Sequence, residues 1–283
     1  MNHHRFTAAL ALLALCTALG ASLAQAQALP DRIAKSKVLK IGVNAIYPPM
    51  EYRDPESGKL VGFDIDLANA LAKELGVTIA WQEAGFDQLL PSLTTGRIDL
   101  ILSGLSDNPE RRATADFIDY LNSGAQFFTS VSRKDINQAE DLCGRTVGTS
   151  RSTTFPNDVR TWSDTHCVGA GKPAIKVEGT NDNAAARSEL KQGRLDAAAQ
   201  GSETVPYVMV LEPGSYKPIG APFGGVPQGI AFTKADVPLR DAVLAAFKKV
   251  LASGAYTAII AKWNLQASAV KQAAVNGAAP GAF

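Results

Sequence analysis

The stretch Asp99 to Arg112, DLILSGLSDNPERR, joins a short apolar run to a turn of small hydroxyl residues and then to a helix opening. Ile98, Leu100, Ile101 and Leu102 read as a buried strand bounded by Gly96 and by Ser103-Gly104. The strand therefore ends at the hydroxyls. Ser103 and Ser106 offer donors and acceptors, Gly104 permits close backbone approach, and Arg111 brings a planar fork of donors that matches a carboxylate bidentately. A lone arginine in the first turn of a surface helix is ordinarily solvated or paired with a neighbouring acid. Its place decides otherwise here, because ligands in open α/β sheets sit outside the carboxyl ends of strands.

Outward from that stretch, strand and helix signals alternate. Val38 to Val43 is strand-like, and the loop from Asn44 through Tyr47 to Pro48-Pro49 cannot be helical at its prolines. Gly62-Phe63-Asp64 starts a helix with Phe63, Leu67, Leu71 and Leu75 on one face, acids at its positive end and Gly76 as its stop. Val77 to Trp81 is the next strand. Phe86-Asp87-Gln88 opens a second helix, with Leu89, Leu90 and Leu93 inward, Pro91 in its first turn and Gly96 at its end. Strand, helix, strand, helix, strand predicts a parallel sheet with helices on both faces.

After Leu121 to Gly124 the pattern restarts. Phe127 to Ser132 is strand-like, Asp141 to Gly144 is a turn, and Thr146 to Thr149 runs into a second hydroxyl-rich turn, Ser150-Arg151-Ser152-Thr153-Thr154. Two such turns predict two lobes facing each other. Asp182 to Leu190 reads as helix, Ala197 to Gln200 as a strand ending at Gly201-Ser202-Glu203, and Gln228 to Thr233 as a strand. Leu239, Val243, Phe247 and Leu251 mark an amphipathic helix, and the Ala/Gly-rich residues 266–283 read as a mobile tail.

Met1 to Ala26 carries Arg5, an apolar run from Ala8 to Leu19, and Ala24-Gln25-Ala26 as a small-x-small cleavage site. This is the pattern of a secretory leader cleaved after Ala26, and it places the mature chain outside the cytoplasm. Lys+Arg number 28 against 27 Asp+Glu; loss of a leader that holds Arg5 and no acid brings the two into balance. Without a basic run there is no electrostatic footprint for nucleic acid. Cys143 and Cys167 remain after the leader. In an oxidising compartment they most simply form a disulfide worth about 3 kcal/mol in the chain-entropy model, with two free thiols as the alternative. His166 is the one histidine left, so neither a His/Cys zinc set at familiar spacing nor a nucleophile elbow is present. No metal or cofactor is expected.

The ordered series IGVNAIYPPMEY, GFDIDLANALAKELG, GFDQLLPSLTTGRIDLILSGLSDNPERR, KQGRLDAA and GAYTAIIAKWNL resembles the polar amino-acid type, family 3, of the extracellular solute-binding proteins of ABC importers. The likeness covers Val38 to Leu265. DLCGRTVGTSRSTT followed by Cys167 is similar to a branch with a disulfide in its second lobe. The resemblance implies an α/β type II periplasmic-binding fold, each lobe a mainly parallel sheet flanked by helices, with crossover strands near Ala125 to Thr129 and Gly225 to Gly229. Lobe one would then take residues 27–126 and 229–265, lobe two residues 127–228, after a leader at 1–26.

By the same likeness Arg111 matches the arginine that clamps a ligand carboxylate, with Ser106 and the Ser103-Gly104 backbone around it. Tyr47 and Phe86 match aromatic walls, and Thr153 and Thr154 match second-lobe hydroxyls, residues that a bland reading makes core packing and helix caps. Three departures stand out. Gly201 replaces the aspartate that meets a ligand ammonium, so either Glu203 substitutes or the ligand lacks that group. Asn44 stands where binders of basic ligands tend to carry an acid, which disfavours lysine or arginine. Ser152 replaces a customary glycine. The resemblance implies a monomeric periplasmic receptor that closes on a small carboxylate-bearing solute, a non-basic amino acid or derivative, and delivers it to a membrane permease. The rival is an enzyme on the same scaffold, a cyclohexadienyl dehydratase with Glu203 as general acid.

Overall fold

The computed structural model describes residues 28–277. The leader at 1–26, its cleavage after Ala26 and the end of the expected tail lie outside the described residues. After α1 (Asp31–Ser36), β1 (Val38–Val43) enters the sheet as an interior strand, and its composition explains why: every residue but Lys40 is partly or fully buried. A small hairpin sheet follows, β2 (Ile46–Tyr47), β3 (Glu51–Arg53) and β4 (Leu60–Val61), and leads into α2 (Phe63–Leu75). Gly76 ends that helix in the left-handed conformation, as expected from its lack of a Cβ. β5 (Thr78–Glu83), α3 (Phe86–Thr94), β6 (Leu100–Ile101), α4 (Pro109–Arg112) and β7 (Ala115–Leu121) complete the outgoing half of the first lobe. α3 begins at Phe86, so Pro91 stands in its second turn rather than its first; the hydroxyls of Thr94 and Thr95 bond the Pro91 carbonyl where the helix runs out.

The second lobe is one uninterrupted segment. It comprises β8 (Ala125–Ser130), β9 (Thr146–Ser150), α5 (Phe155–His166), β10 (Lys176–Thr180), α6 (Asn183–Lys191), β11 (Ala197–Gly201), α7 (Val205–Leu211) and β12 (Tyr216–Phe223). The chain then returns through β13 (Gln228–Thr233), α8 (Val237–Ala252), α9 (Ala255–Lys262) and β14 (Ala269–Val275).

The first sheet has the order β14-β7-β13-β6-β1-β5 and the second β10-β9-β11-β8-β12. The parallel pairing expected from the first three strands is present, since β1 runs parallel to both β5 and β6. Each sheet is nonetheless mixed. β13 pairs antiparallel with β6 and β7, and β8 pairs antiparallel with β11 and β12, because the strands flanking the crossovers enter from the opposite lobe. The crossovers themselves differ from expectation. Ala125 to Thr129 already pair within the second sheet, so the chain changes lobes at residues 122–124; on the return it does so at residues 224–227, with Gln228 and Gly229 paired to β7. A hydrogen bond from Val226 N to the Ser123 carbonyl (3.0 Å) ties the crossovers together, and one from Ser202 N to the Gly124 carbonyl (2.8 Å) fastens the outgoing crossover to the turn after β11.

The expected apolar faces meet in one core, where Phe63, Leu67 and Leu71 of α2 pack with Leu239, Val243 and Phe247 of α8. In the second lobe, Cys143 and Cys167 are disulfide-bonded and join the approach to β9 to the end of α5. His166 bonds the Trp162 carbonyl through Nδ1 and stacks on the Trp162 ring. The tail expected to be mobile is instead structured as far as it is described: β14 pairs with β7 at the sheet edge. Two side chains pin it there, for Asn276 Oδ1 accepts from Phe117 N at 2.9 Å and Asp119 accepts from Gly277 N at 3.0 Å.

Candidate functional site

A cavity of about 370 Å³ lies between the lobes. Strand ends build it. From the first lobe come Asn44 and Tyr47 after β1, Phe86 at the start of α3, and Gly104, Ser106 and Arg111 after β6. From the second come Ser150 to Thr153 after β9, Phe155 at the start of α5, and Asn181 to Asn183 between β10 and α6. The turns singled out by their hydroxyls thus do face each other.

Arg111 is fixed by local structure. Asn108 caps α4 by accepting from Arg111 N at 2.8 Å, and Arg111 Nη1 donates to the Ser106 carbonyl at 3.0 Å. Its guanidinium stands 5.7 Å from the centroid of the Phe86 ring, a cation–π contact. Burial lowers its pKa, opposed by the charge of Glu110, and among the described residues it has no ion pair with a carboxylate. A partly desolvated guanidinium with its remaining donors directed at a cavity is a receptor for an anion.

Gly104 is required twice over. Its φ is +54°, and a Cβ there would press on the Tyr47 ring at 3.0 Å. Its N–H donates to Asp64 Oδ2 at 2.9 Å and to the Tyr120 hydroxyl at 3.1 Å. Ser103, expected at the site, turns away from the cavity: its hydroxyl donates to Glu51 Oε1 at 2.8 Å and accepts from Asn44 N at 2.9 Å. It holds the wall from behind. The Asn44 side chain donates to the Ala84 carbonyl at 2.8 Å, which ties the ends of β1 and β5.

On the facing side, Thr153 Oγ1 donates to the Ser150 carbonyl at 2.7 Å and accepts from Phe155 N at 3.3 Å, so it both closes the turn and caps the start of α5. Thr154 does not line the cavity; it precedes α5, beside Asp158. Ser152 lines it, on a turn that contains no glycine.

Gly201 and Glu203, also expected at the cavity, lie behind Tyr47 and do not line it. Glu203 is buried, and Oε1 accepts from the Tyr47 hydroxyl and from Gln228 Nε2, each at 2.7 Å, while Oε2 accepts from Ser123 Oγ at 2.6 Å. Burial raises its pKa against the pull of these donors. A swing of Glu203 toward a ligand would break all three bonds.

The structure adds residues the sequence reading passed over. Arg151 lines the cavity and is held by Thr180 and by Asn181 Oδ1, the latter at 2.6 Å. Asp182 caps α6 by accepting from Ala185 N at 2.7 Å, and Asp87 stands on the opposite rim. The available signal was the Asn181-Asp182-Asn183 turn, polar residues between a strand and a helix of the same kind as the two hydroxyl turns. Gln228 was hidden as the first residue of a strand.

A two-lobed α/β molecule with two crossovers and a cavity at the facing strand ends defines the type II periplasmic-binding class. Residues 39–266 match the model for bacterial extracellular solute-binding proteins, family 3, and the chain belongs to that family. It is 32% identical over 247 residues to the arginine-binding protein ArgT of Corynebacterium glutamicum, covering 87% of this chain and 81% of that one. It is 31% identical over 259 residues to the histidine-binding periplasmic protein of Escherichia coli, covering 89% and 94%. Among solved structures, an ancestral amino acid-binding protein described as a precursor of cyclohexadienyl dehydratase superposes with a TM-score of 0.71 at 31% identity, covering 82% of this chain and 98% of that one.

Proposed function

We propose that this chain is the periplasmic receptor of an amino-acid ABC importer, which closes on a small carboxylate-bearing solute, a non-basic amino acid or derivative, and hands it as a monomer to the membrane permease. The observation that carries this reading is Arg111, a cavity-facing guanidinium without an ionic partner among the described residues. A solute carboxylate would supply the missing charge, and Ser106 and Thr153 stand on the two sides of the same cavity. The non-basic preference is supported by Asn44, a neutral side chain already bonded to Ala84. Of the acids on the rim, Asp182 is committed to capping α6 and Asp87 is exposed.

Binding rather than catalysis is supported by Glu203, which is enclosed by three protein donors and does not line the cavity. As a control, a carboxylated cyclohexadiene incubated with the protein should give no change in ultraviolet absorbance; turnover lost in Glu203→Gln would restore the dehydratase reading.

The test is a thermal-shift panel on refolded, solute-stripped protein, because binding to the native state raises Tm by mass action. Neutral or N-modified amino acids should stabilise it, and arginine, lysine and histidine should not. Stabilisation by those three would overturn the non-basic assignment. For whichever solute stabilises, Arg111→Ala should weaken binding at least about a hundredfold by calorimetry with the fold intact, as expected for the loss of one member of a desolvated charge pair.

A further inference from the structure

Glu203 belongs to the second lobe, in the turn between β11 and α7, and all three donors to its carboxylate come from outside that lobe. Tyr47 donates from β2 of the first lobe, Gln228 from the first residue of β13, and Ser123 from the outgoing crossover. Three donors suit an ionised carboxylate, and only 3% of the residue is exposed, so water does not stand in for them. Two residues earlier, Gly201 supplies the room. A Cβ there would overlap both Glu203 Oε1 and the Tyr47 hydroxyl, and no rotation of one side chain alone relieves both.

A second contact lies one turn along the same segment. Tyr207 of α7 packs on Tyr52 of β3 with ring centroids 5.9 Å apart. The β2–β3 hairpin of the first lobe therefore grips residues 203–207 of the second lobe twice. Neither Glu203 nor Tyr207 lines the cavity, so these contacts need no solute. Tyr47 is the exception among the four, since its ring forms the cavity wall against Gly104 while its hydroxyl reaches Glu203.

We propose that Glu203 is a positioning residue that latches the lobes together in the absence of solute: by holding the Tyr47 hydroxyl it sets the aromatic wall of the cavity, and Gly201 is the vacancy that lets it do so. The proposal rests on the reading of the molecule as a receptor whose lobes close. Its consequence is that a share of the closing free energy comes from within the protein, and a hydrogen bond to a buried charge shifts the closed-to-open ratio about tenfold or more. A binding-competent state that is already populated raises apparent affinity in proportion to the fraction of molecules that occupy it.

The experiment is small-angle X-ray scattering on solute-stripped protein without any added solute. The wild type should scatter as the closed arrangement. Tyr47→Phe should move the population about tenfold toward an open form with a larger radius of gyration, and Gly201→Ala at least as far. The double variant should move it no further than Gly201→Ala alone, since that change already breaks the bond that Tyr47→Phe removes. Wild-type scattering that already fits an open molecule, unchanged scattering in the variants, or additive shifts would each overturn the latch. If Gly201→Ala fails to fold, Tyr47→Phe decides alone, because it removes one hydroxyl and keeps the ring. The thermal-shift panel reports separately on the receptor reading: a latch that holds while no carboxylate stabilises the protein would sink the assigned solute class and leave the latch intact.

Discussion

In the first lobe, Glu51 and Asp64 are fully buried behind the cavity wall, whereas in the second lobe Asp135 and Asp196 sit at the surface between Arg133 and Arg145. Burial pushes both members of the first pair up, Glu51 further through the charge of Asp64, and Asp64 is held back by Gly104 N–H and the Tyr120 hydroxyl. The second pair goes the other way. Hydrogen bonds from Arg133 lead the lowering of Asp135; Asp196 is lowered although burial opposes it, by Thr146 N–H and Arg133. Asp158, raised to about 6 by burial, and the buried Glu203, also raised, are the second lobe's exceptions. The difference follows from position. The first pair supports Ser103 and Gly104 and so orders the cavity wall at the expense of stability, while the second closes the outer end of its own sheet by receiving Thr146 N–H at 2.8 Å.

The largest test of this contrast is Asp64→Ala. It leaves the buried Tyr120 hydroxyl without its acceptor and Gly104 N–H with the Tyr120 oxygen alone, and should cost about 4 kcal/mol in urea unfolding. Reduction, or replacement of both cysteines by serine, should cost about 3 kcal/mol in the chain-entropy model, with hydrogen exchange accelerated in the second lobe and not in the first.

A pH titration sharpens the comparison. Asp64 has its native pKa raised from 3.8 to about 7, so the folded state binds more protons than the unfolded state between these values. Its contribution therefore makes stability fall as pH rises through that window. Asp64→Asn should flatten that part of the profile. Asp135 and Asp196, with lowered pKa, contribute stability above about pH 4 that is lost on acidification. Between pH 8 and pH 5 the first lobe should thus gain protection from hydrogen exchange through Asp64, whereas the second lobe should lose the stability of Asp135 and Asp196 only as pH falls below about 4; loss of protection in both lobes over one pH interval would break the contrast. The smallest effect belongs to Arg133→Ala, under about 1 kcal/mol, because the pairs it leaves are partly exposed and screened by salt.

Legibility in the sequence followed the same divide between periodic and context-dependent structure. α2, α8 and β13 were readable because their apolar spacing is local information, and Arg111 was readable from its place after a strand. β12 was not, since Pro218 and Pro222 argue against a strand; it is tolerated as an edge strand with an irregular register between Ile219 and Phe223. β14 was hidden by its alanines, because side-chain bonds from Asn276 and to Asp119 at its far end, rather than apolar alternation, hold it. Glu203 was placed by counting along β11, but whether its carboxylate faces a ligand or Tyr47 depends on three partners distant in sequence.

The edge strand β14 has a consequence for how the chain is made. The second lobe lies between β8 and β12 without interruption, so a chain synthesised from its N-terminus holds every strand of that sheet once Phe223 has emerged. The first sheet at that moment lacks both β13, which lies between β6 and β7, and β14. The lobe that begins first is completed last, and until residues 269–275 arrive β7 presents an open edge to whatever escorts the nascent chain.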